Sequence, residues 1–290
     1  MRPNVHCLGR LVFWALSALS TACSGLTDSP VGRYTLTFDD AYVIYEIDPV
    51  WHHQRIVLHD TLTSYDVTWS PDGRSVAYMR QFYPISGGVS YRLFVFDTED
   101  STERQLTFGP DDSGLPAWSP TGDYIAYLST PSQGGGGTTL RLIRPDGTGD
   151  HRADSEFYYV RSPEWSPDGR YLAATRSDFI VVVVDPFSGS TIHEVAPGIS
   201  PTWSPDGKRL AFVSGGLVIA NLNGQNARVV LPLPAYEPAW SPDGRWIAFE
   251  RVEAPPLDVA VFVIAANRTP YGAIRRMGVG RRPAWRSVPQ

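Results

Sequence analysis

Acidic residues recur in a fixed frame along this chain. Asp72, Asp168, Asp206 and Asp243 each occupy the fourth position of a Trp-Ser-Pro-Asp-Gly pentapeptide, and Thr121 takes that position in a further copy. Carboxylates repeated this way could form a ring of metal ligands or catalytic acids. Each also stands between Pro and Gly, where an aspartate bonds the local backbone of a tight turn. Repetition at every such turn favours the structural role. The histidines His52, His53, His59, His151 and His193 have no metal-ligand spacing. Gly134 to Gly137 lack the Lys-Ser/Thr of a phosphate loop and are expected to form a flexible loop. Arg275-Arg276 and Arg281-Arg282 form a local basic patch in an acidic molecule. Neither Gly-x-Ser-x-Gly, His-Glu-x-x-His nor Cys-x-x-Cys occurs. No catalytic residue, metal site or cofactor is expected.

Cysteine carries the one covalent expectation. Arg2 and Arg10 precede the apolar run Leu11 to Leu19, which is too short to span ~30 Å of hydrocarbon as a helix. A positive start, a short apolar stretch and small residues after it describe a secretory signal peptide over residues 1–22. Ser20-Thr21-Ala22-Cys23 resembles the lipobox of bacterial lipoproteins, with Ser20 in place of the usual leucine. That resemblance implies lipid on Cys23 and a tether over residues 23–32, which reaches at most ~30 Å. Cys7 leaves with the signal, so Cys23 has no partner for a disulfide.

The elements that position these residues come from a repeat. The tryptophan motif begins at Trp69, Trp118, Trp165, Trp203 and Trp240, with a decayed copy at Trp285. The spacings of 49, 47, 38, 37 and 45 residues suit a β-propeller blade. An apolar strand follows each motif, such as Val76-Ala77-Tyr78 or Ile247-Ala248-Phe249, then a second run and a weaker outer one. Within the motif, Pro presets φ, Gly takes a positive φ, and Trp is placed to wedge between blades. Composition agrees, since 26 Gly and 25 Pro serve turns and 35 aromatics serve strands, which excludes a helical bundle, a coiled coil and disorder. A net charge of −5 argues against a nucleic-acid partner.

The motif resembles the WD40-like PD40 repeat of the TolB-like β-propeller family, over residues 33–290. The expected fold is therefore an all-β six-bladed propeller of four-stranded blades. Only five residues follow Trp285, so residues 33–60 are expected to supply three strands of the last blade and Arg282–Trp285 the innermost, closing the ring. The resemblance implies an envelope protein or peptide as partner and a periplasm-facing location, with attachment to the membrane through Cys23; a monomer is expected. That family carries an additional α/β domain, for which no segment is seen here, so its partner contacts are not transferred. Relatives among peptidases add a hydrolase domain for which the chain has no room. The rival reading is a carbohydrate-binding propeller or a lyase similar to the oligogalacturonate lyases, which need a histidine-rich metal site. Binding is expected in the variable loops of one face, at Phe82, Tyr83, Tyr91, Asp111, Asp112, Phe157, Tyr158 and Tyr159.

Overall fold

In a computed structural model, the structure describes residues 34–39, 43–47, 54–59, 64–83, 89–131, 137–153, 159–253, 258–267 and 273–287. Every regular element among them is a strand. The chain begins with β1 (Tyr34–Asp39), β2 (Val43–Ile47) and β3 (Gln54–His59). One blade then comprises β4 (Ser64–Trp69), β5 (Ser75–Phe82), β6 (Ser90–Asp97) and β7 (Glu103–Gln105). The next comprises β8 (Asp112–Trp118), β9 (Ile125–Thr130), β10 (Thr139–Ile143) and β11 (His151–Arg152). It is followed by β12 (Tyr159–Trp165), β13 (Leu172–Arg176), β14 (Ile180–Val184) and β15 (Thr191–Pro197). A fourth holds β16 (Ile199–Trp203), β17 (Arg209–Val213), β18 (Leu217–Asn221) and β19 (Arg228–Leu231). The fifth holds β20 (Tyr236–Trp240), β21 (Trp246–Val252), β22 (Val259–Ala265) and β23 (Arg275–Val279), and β24 (Arg281–Ser287) ends the chain.

The fold is thus an all-β propeller of four-stranded antiparallel blades. The expectation of six blades is corrected in one respect. Five blades are continuous in sequence, whereas the remaining strands form a composite sheet in the order β24-β1-β2-β3. Leu36 of β1 faces Trp285 of β24 in its register.

Turn chemistry explains why the strands begin and end where they do. In each motif the glycine N–H donates to the serine carbonyl, at 2.9 Å for Gly73 and 2.8 Å for Gly207. Both glycines have positive φ, at 70° and 67°. The serine hydroxyl donates to the aspartate, 2.6 Å for Ser70 to Asp72, and accepts the Ser75 N–H at 2.9 Å. Those bonds hold the Asp72, Asp168 and Asp206 carboxyls below the usual range, with the serine hydroxyl as the main cause. The repeated acids serve the turns.

The core lies between blades rather than inside any one of them. Each apolar cluster draws on two neighbouring sheets, as where Ala173 and Val183 meet Trp203 and Phe212. The composite sheet is packed on both sides: Leu36 and Trp285 join Trp246 and Val261, and Ala284 joins Val67 and Trp69. The tryptophans stitch these layers. Trp165 Nε1 donates to the Ala117 carbonyl at 3.0 Å, Trp203 to Glu164 at 3.1 Å and Trp285 to Ala239 at 3.0 Å, each on the preceding blade. Trp69 donates instead to Thr37 Oγ1 of β1 at 2.7 Å. Trp118 departs from the pattern and turns to its own Gly122 carbonyl at 3.4 Å.

Candidate functional site

Each innermost strand runs toward its tryptophan turn. The propeller therefore has a turn face, with the Ser-Pro-Asp-Gly turns, and a loop face. The loop face holds the connections between second and third strands and those leading into the next blade. Apolar exposure is uneven between them. Phe82, Tyr83, Val89 and Phe108 lie on the loop face around one corner, with Tyr83 63% and Phe108 74% exposed. Phe179, Tyr236, Val252 and Val279 are exposed at other positions of the same face. On the turn face Phe187 is exposed, and Ile192 and Val229 are exposed near the turn-face ends of the outer strands β15 and β19.

Structure gathers Phe82, Tyr83, Tyr91, Asp111 and Asp112 at that corner but corrects their setting. Phe82 and Tyr91 belong to a long β5–β6 hairpin, where Gln81 faces Tyr91 and Phe82 faces Ser90. Asp112 opens β8 instead of lying in a loop. Tyr91 N–H donates to Asp112 Oδ1 at 2.9 Å. Arg92, which the sequence pattern did not mark, ties the corner together from beneath. Its guanidinium donates to the Tyr91 and Asp111 carbonyls at 2.8 and 3.0 Å and to that of Gly109. It also lies 3.9 Å from the Asp112 carboxylate and 5.9 Å from the Phe82 ring centre. Tyr83 accepts from the Gln81 amide at 2.8 Å. Tyr159 begins β12, away from this hairpin. Phe157 and Tyr158 lie outside the described residues, as do Cys23, the signal segment, the tether, His52 and His53.

Sequence reasoning also missed the residues of the central channel. Three positions before the repeat tryptophans stand Asp66, Leu115, Ser162, Ser200, Glu237 and Arg282. Five of them have left-handed backbone, at φ 59°, 53°, 51°, 43° and 52° for Asp66, Leu115, Ser200, Glu237 and Arg282. Strand register slips at the same places, between Tyr65 and Thr68 or between Tyr236 and Ala239, for example. A bulge of this kind re-aims a side chain, and a non-glycine residue at positive φ costs about 1–3 kcal/mol. Asp66, Leu115, Ser200, Glu237 and Arg282 line a channel cavity of about 290 Å³, together with Glu164.

Charge in the channel is paired locally. Arg282 binds the buried Asp66 carboxylate, while its backbone N–H donates to Glu250. Ser200 donates to Glu237 at 3.2 Å. Glu164 Oε1 accepts the Trp203 N–H and the Thr202 hydroxyl, both at 3.0 Å. Desolvation pushes its carboxyl up to about 7 against those two bonds. A second cavity of about 330 Å³ joins channel to corner, since Asp66 and Arg282 line it with Tyr91, Asp112, Thr130 and Thr138. Among the described residues, no three His, Cys, Asp or Glu side chains converge as a metal site requires. His151 is exposed, with Nδ1 2.7 Å from the Gly149 carbonyl.

The chain resembles TolB in both sequence and architecture. It is 31% identical over 107 residues to the Tol-Pal system protein TolB of Francisella tularensis, across 36% of this chain and 23% of that protein. Its structure superposes on crystalline TolB from Acinetobacter baumannii with a TM-score of 0.70 at 17% identity, over 91% of this chain and 68% of that one. The chain carries a TolB-like β-propeller. The curated TolB of Gluconobacter oxydans is 39% identical over 70 residues, 24% of this chain and 15% of the relative. Thus the match spans less than a quarter of these curated relatives. No protein-family model matches the chain. The TolB-like propeller also shares its fold with an oligogalacturonate lyase in complex with manganese, at TM-score 0.58 and 14% identity, over 80% of this chain and 73% of the lyase.

Proposed function

We propose that the chain is an exported, lipid-anchored, non-enzymatic scaffold that binds an envelope protein or peptide through its loop face. The observation that carries this reading is the gathering of exposed aromatic and aliphatic side chains there, opposite a turn face rich in aspartate. Large apolar patches rimmed by polar residues mark interaction surfaces. The anchor suits the same geometry. β1, as the second strand of its sheet, starts on the turn face, so a tether from Cys23 leaves the loop face directed away from the membrane. Similarity to TolB of the Tol-Pal system supports an envelope location and a protein partner. The composite sheet acts as the sixth blade of a closed ring, an arrangement supported by the Trp285 and Trp69 bonds to its neighbours.

A photocrosslinking residue in place of Tyr83 or Phe108 should yield a discrete adduct in the native envelope, and one in place of Asp100 on the turn face should not. Absence of adducts from both loop-face positions refutes the scaffold. Palmitate labelling lost in Cys23→Ser tests the anchor, and labelling absent from the unaltered chain refutes it. The carbohydrate reading draws on the lyase as a fold neighbour. The described channel lining contains no histidine, so the protein-binding reading is preferred.

A further inference from the structure

At four blade junctions on the turn face, the residue six positions after a repeat tryptophan stands beside the tryptophan of the next blade. Trp246, outside the repeat scheme in sequence, takes this place next to Trp285. At the β8–β11 and β12–β15 junction the pair is Tyr124 and Trp165. Phe187, from the turn between β14 and β15, lies over both, with ring centres 5.8 Å from Tyr124 and 6.4 Å from Trp165. At the junction of β16–β19 with β20–β23, the pair is Arg209 and Trp240, and the guanidinium itself covers the indole at 5.3 Å.

The junction between these two is open. Here the pair is Tyr171 and Trp203, and the β18–β19 turn, Asn221-Leu222-Asn223-Gly224, contributes only the smaller, partly buried Leu222 in place of an aromatic ring. A groove of about 350 Å³ remains, lined by Pro167, Tyr171, Trp203, Pro205 and Leu222. Asp168 and Asp206 stand on its rims. Each is fixed through Oδ1, by Ser166 and the Arg170 N–H at 2.6 and 3.1 Å, and by Ser204 and the Lys208 N–H at 2.5 and 3.1 Å. Both carboxyls lie below the usual range and are ionised at neutral pH, with the serine hydroxyl as the main cause.

We propose that this groove docks a peptide segment of a partner in which an aromatic side chain adjoins an arginine or lysine. The flanking junctions show what the fold places in the same position, an aromatic ring on one side and a guanidinium on the other. Asp168 supplies complementary charge for the basic neighbour, and Asp206 adds to it although its Oδ2 already lies 3.6 Å from Arg209. Exposed charge pairs of this kind act mainly on specificity. Because the groove lies on the turn face, it does not depend on the loop-face reading, and either can fail alone.

The test is a titration of the full chain with N-acetyl-Phe-Arg amide, followed by two-dimensional NMR. Saturable shifts confined to residues 167–171 and 203–207 are expected, with a Kd near ~1 mM. Leu222→Trp, which fills the groove from its own rim, should weaken binding at least ~10-fold without lowering the melting temperature. Phe187→Ala uncovers Trp165 and Tyr124 and should add a second site. N-acetyl-Phe-Glu amide should bind at least ~5-fold more weakly. Absence of saturable shifts, unchanged affinity in Leu222→Trp, a single site in Phe187→Ala, or equal binding of the two peptides overturns the proposal.

Discussion

Replacing Glu164 by Gln separates the bonds this residue makes from the proton it holds. Oε1 accepts the Trp203 N–H and the Thr202 hydroxyl across a blade junction, and a glutamine amide oxygen accepts both as well. Only titration is lost. In the folded chain the carboxyl has its pKa pushed up to about 7, first by desolvation, from an ordinary 4.5. Below 4.5 the proton is bound in folded and unfolded states alike, and the glutamate behaves as a neutral residue. Between 4.5 and 7 the folded state keeps a proton that the unfolded chain releases, so stability falls as pH rises. Above 7 the loss is complete. At 1.36 kcal/mol per unit the pH-dependent loss amounts to about 3 kcal/mol. Because Glu164 is half-buried against the channel, that figure is a ceiling. Urea unfolding of both proteins from pH 4.5 to 8 reads it directly. The difference between them cancels other groups such as Asp72 and Asp168, whose lowered pKa values make the chain lose stability on acidification. Glu164→Gln should match the parent near pH 4.5 and exceed it by up to about 3 kcal/mol at pH 8. Parallel stability curves refute the reasoning, because the carboxyl then carries no excess proton in the folded state.

The tryptophan stitches predict unequal costs for equal substitutions. Trp203→Phe orphans the Glu164 carbonyl, whereas Trp240 Nε1 is buried without a partner, so Trp203→Phe should cost ~1–3 kcal/mol more than Trp240→Phe by denaturant unfolding. Equal losses refute the stitch. Removing residues 281–290 takes away the innermost strand of the composite sheet and should lower the melting temperature by more than ~10 °C in calorimetry. An unchanged melt refutes the closure. Tyr83→Ala with Phe108→Ala should alter stability by no more than ~0.5 kcal/mol per site, because both side chains are exposed, yet weaken capture of the loop-face partner at least ~10-fold in a pull-down.

What the sequence reveals and hides here follows from how far each interaction reaches. The Ser-Pro-Asp-Gly turn is closed by bonds within six residues, such as Ser75 N–H to Ser70 Oγ, so its local chemistry reveals both the turn and the blade period. The β5–β6 hairpin is longer than the expected loop because pairing continues to Phe82 and Ser90. Arg92 escaped notice because its partners are backbone carbonyls up to 19 residues away, and a carbonyl has no residue type to read. The channel positions were hidden for a different reason. Alternation assigns a strand residue to one of two faces, and a bulge at positive φ breaks that alternation without a glycine to announce it. Aligned on their tryptophans, Asp66, Leu115, Ser162, Ser200, Glu237 and Arg282 have no residue type common to all: two acids, two serines, a leucine and an arginine. What repeats among the five with left-handed backbone is the shape of the chain. Packing against neighbouring blades holds these bulges in place, so the side chain each presents is free to differ from blade to blade. A symmetric scaffold thereby lines its axis with an asymmetric set of groups, and the Asp66–Arg282 pair marks where that asymmetry meets the aromatic corner of the loop face.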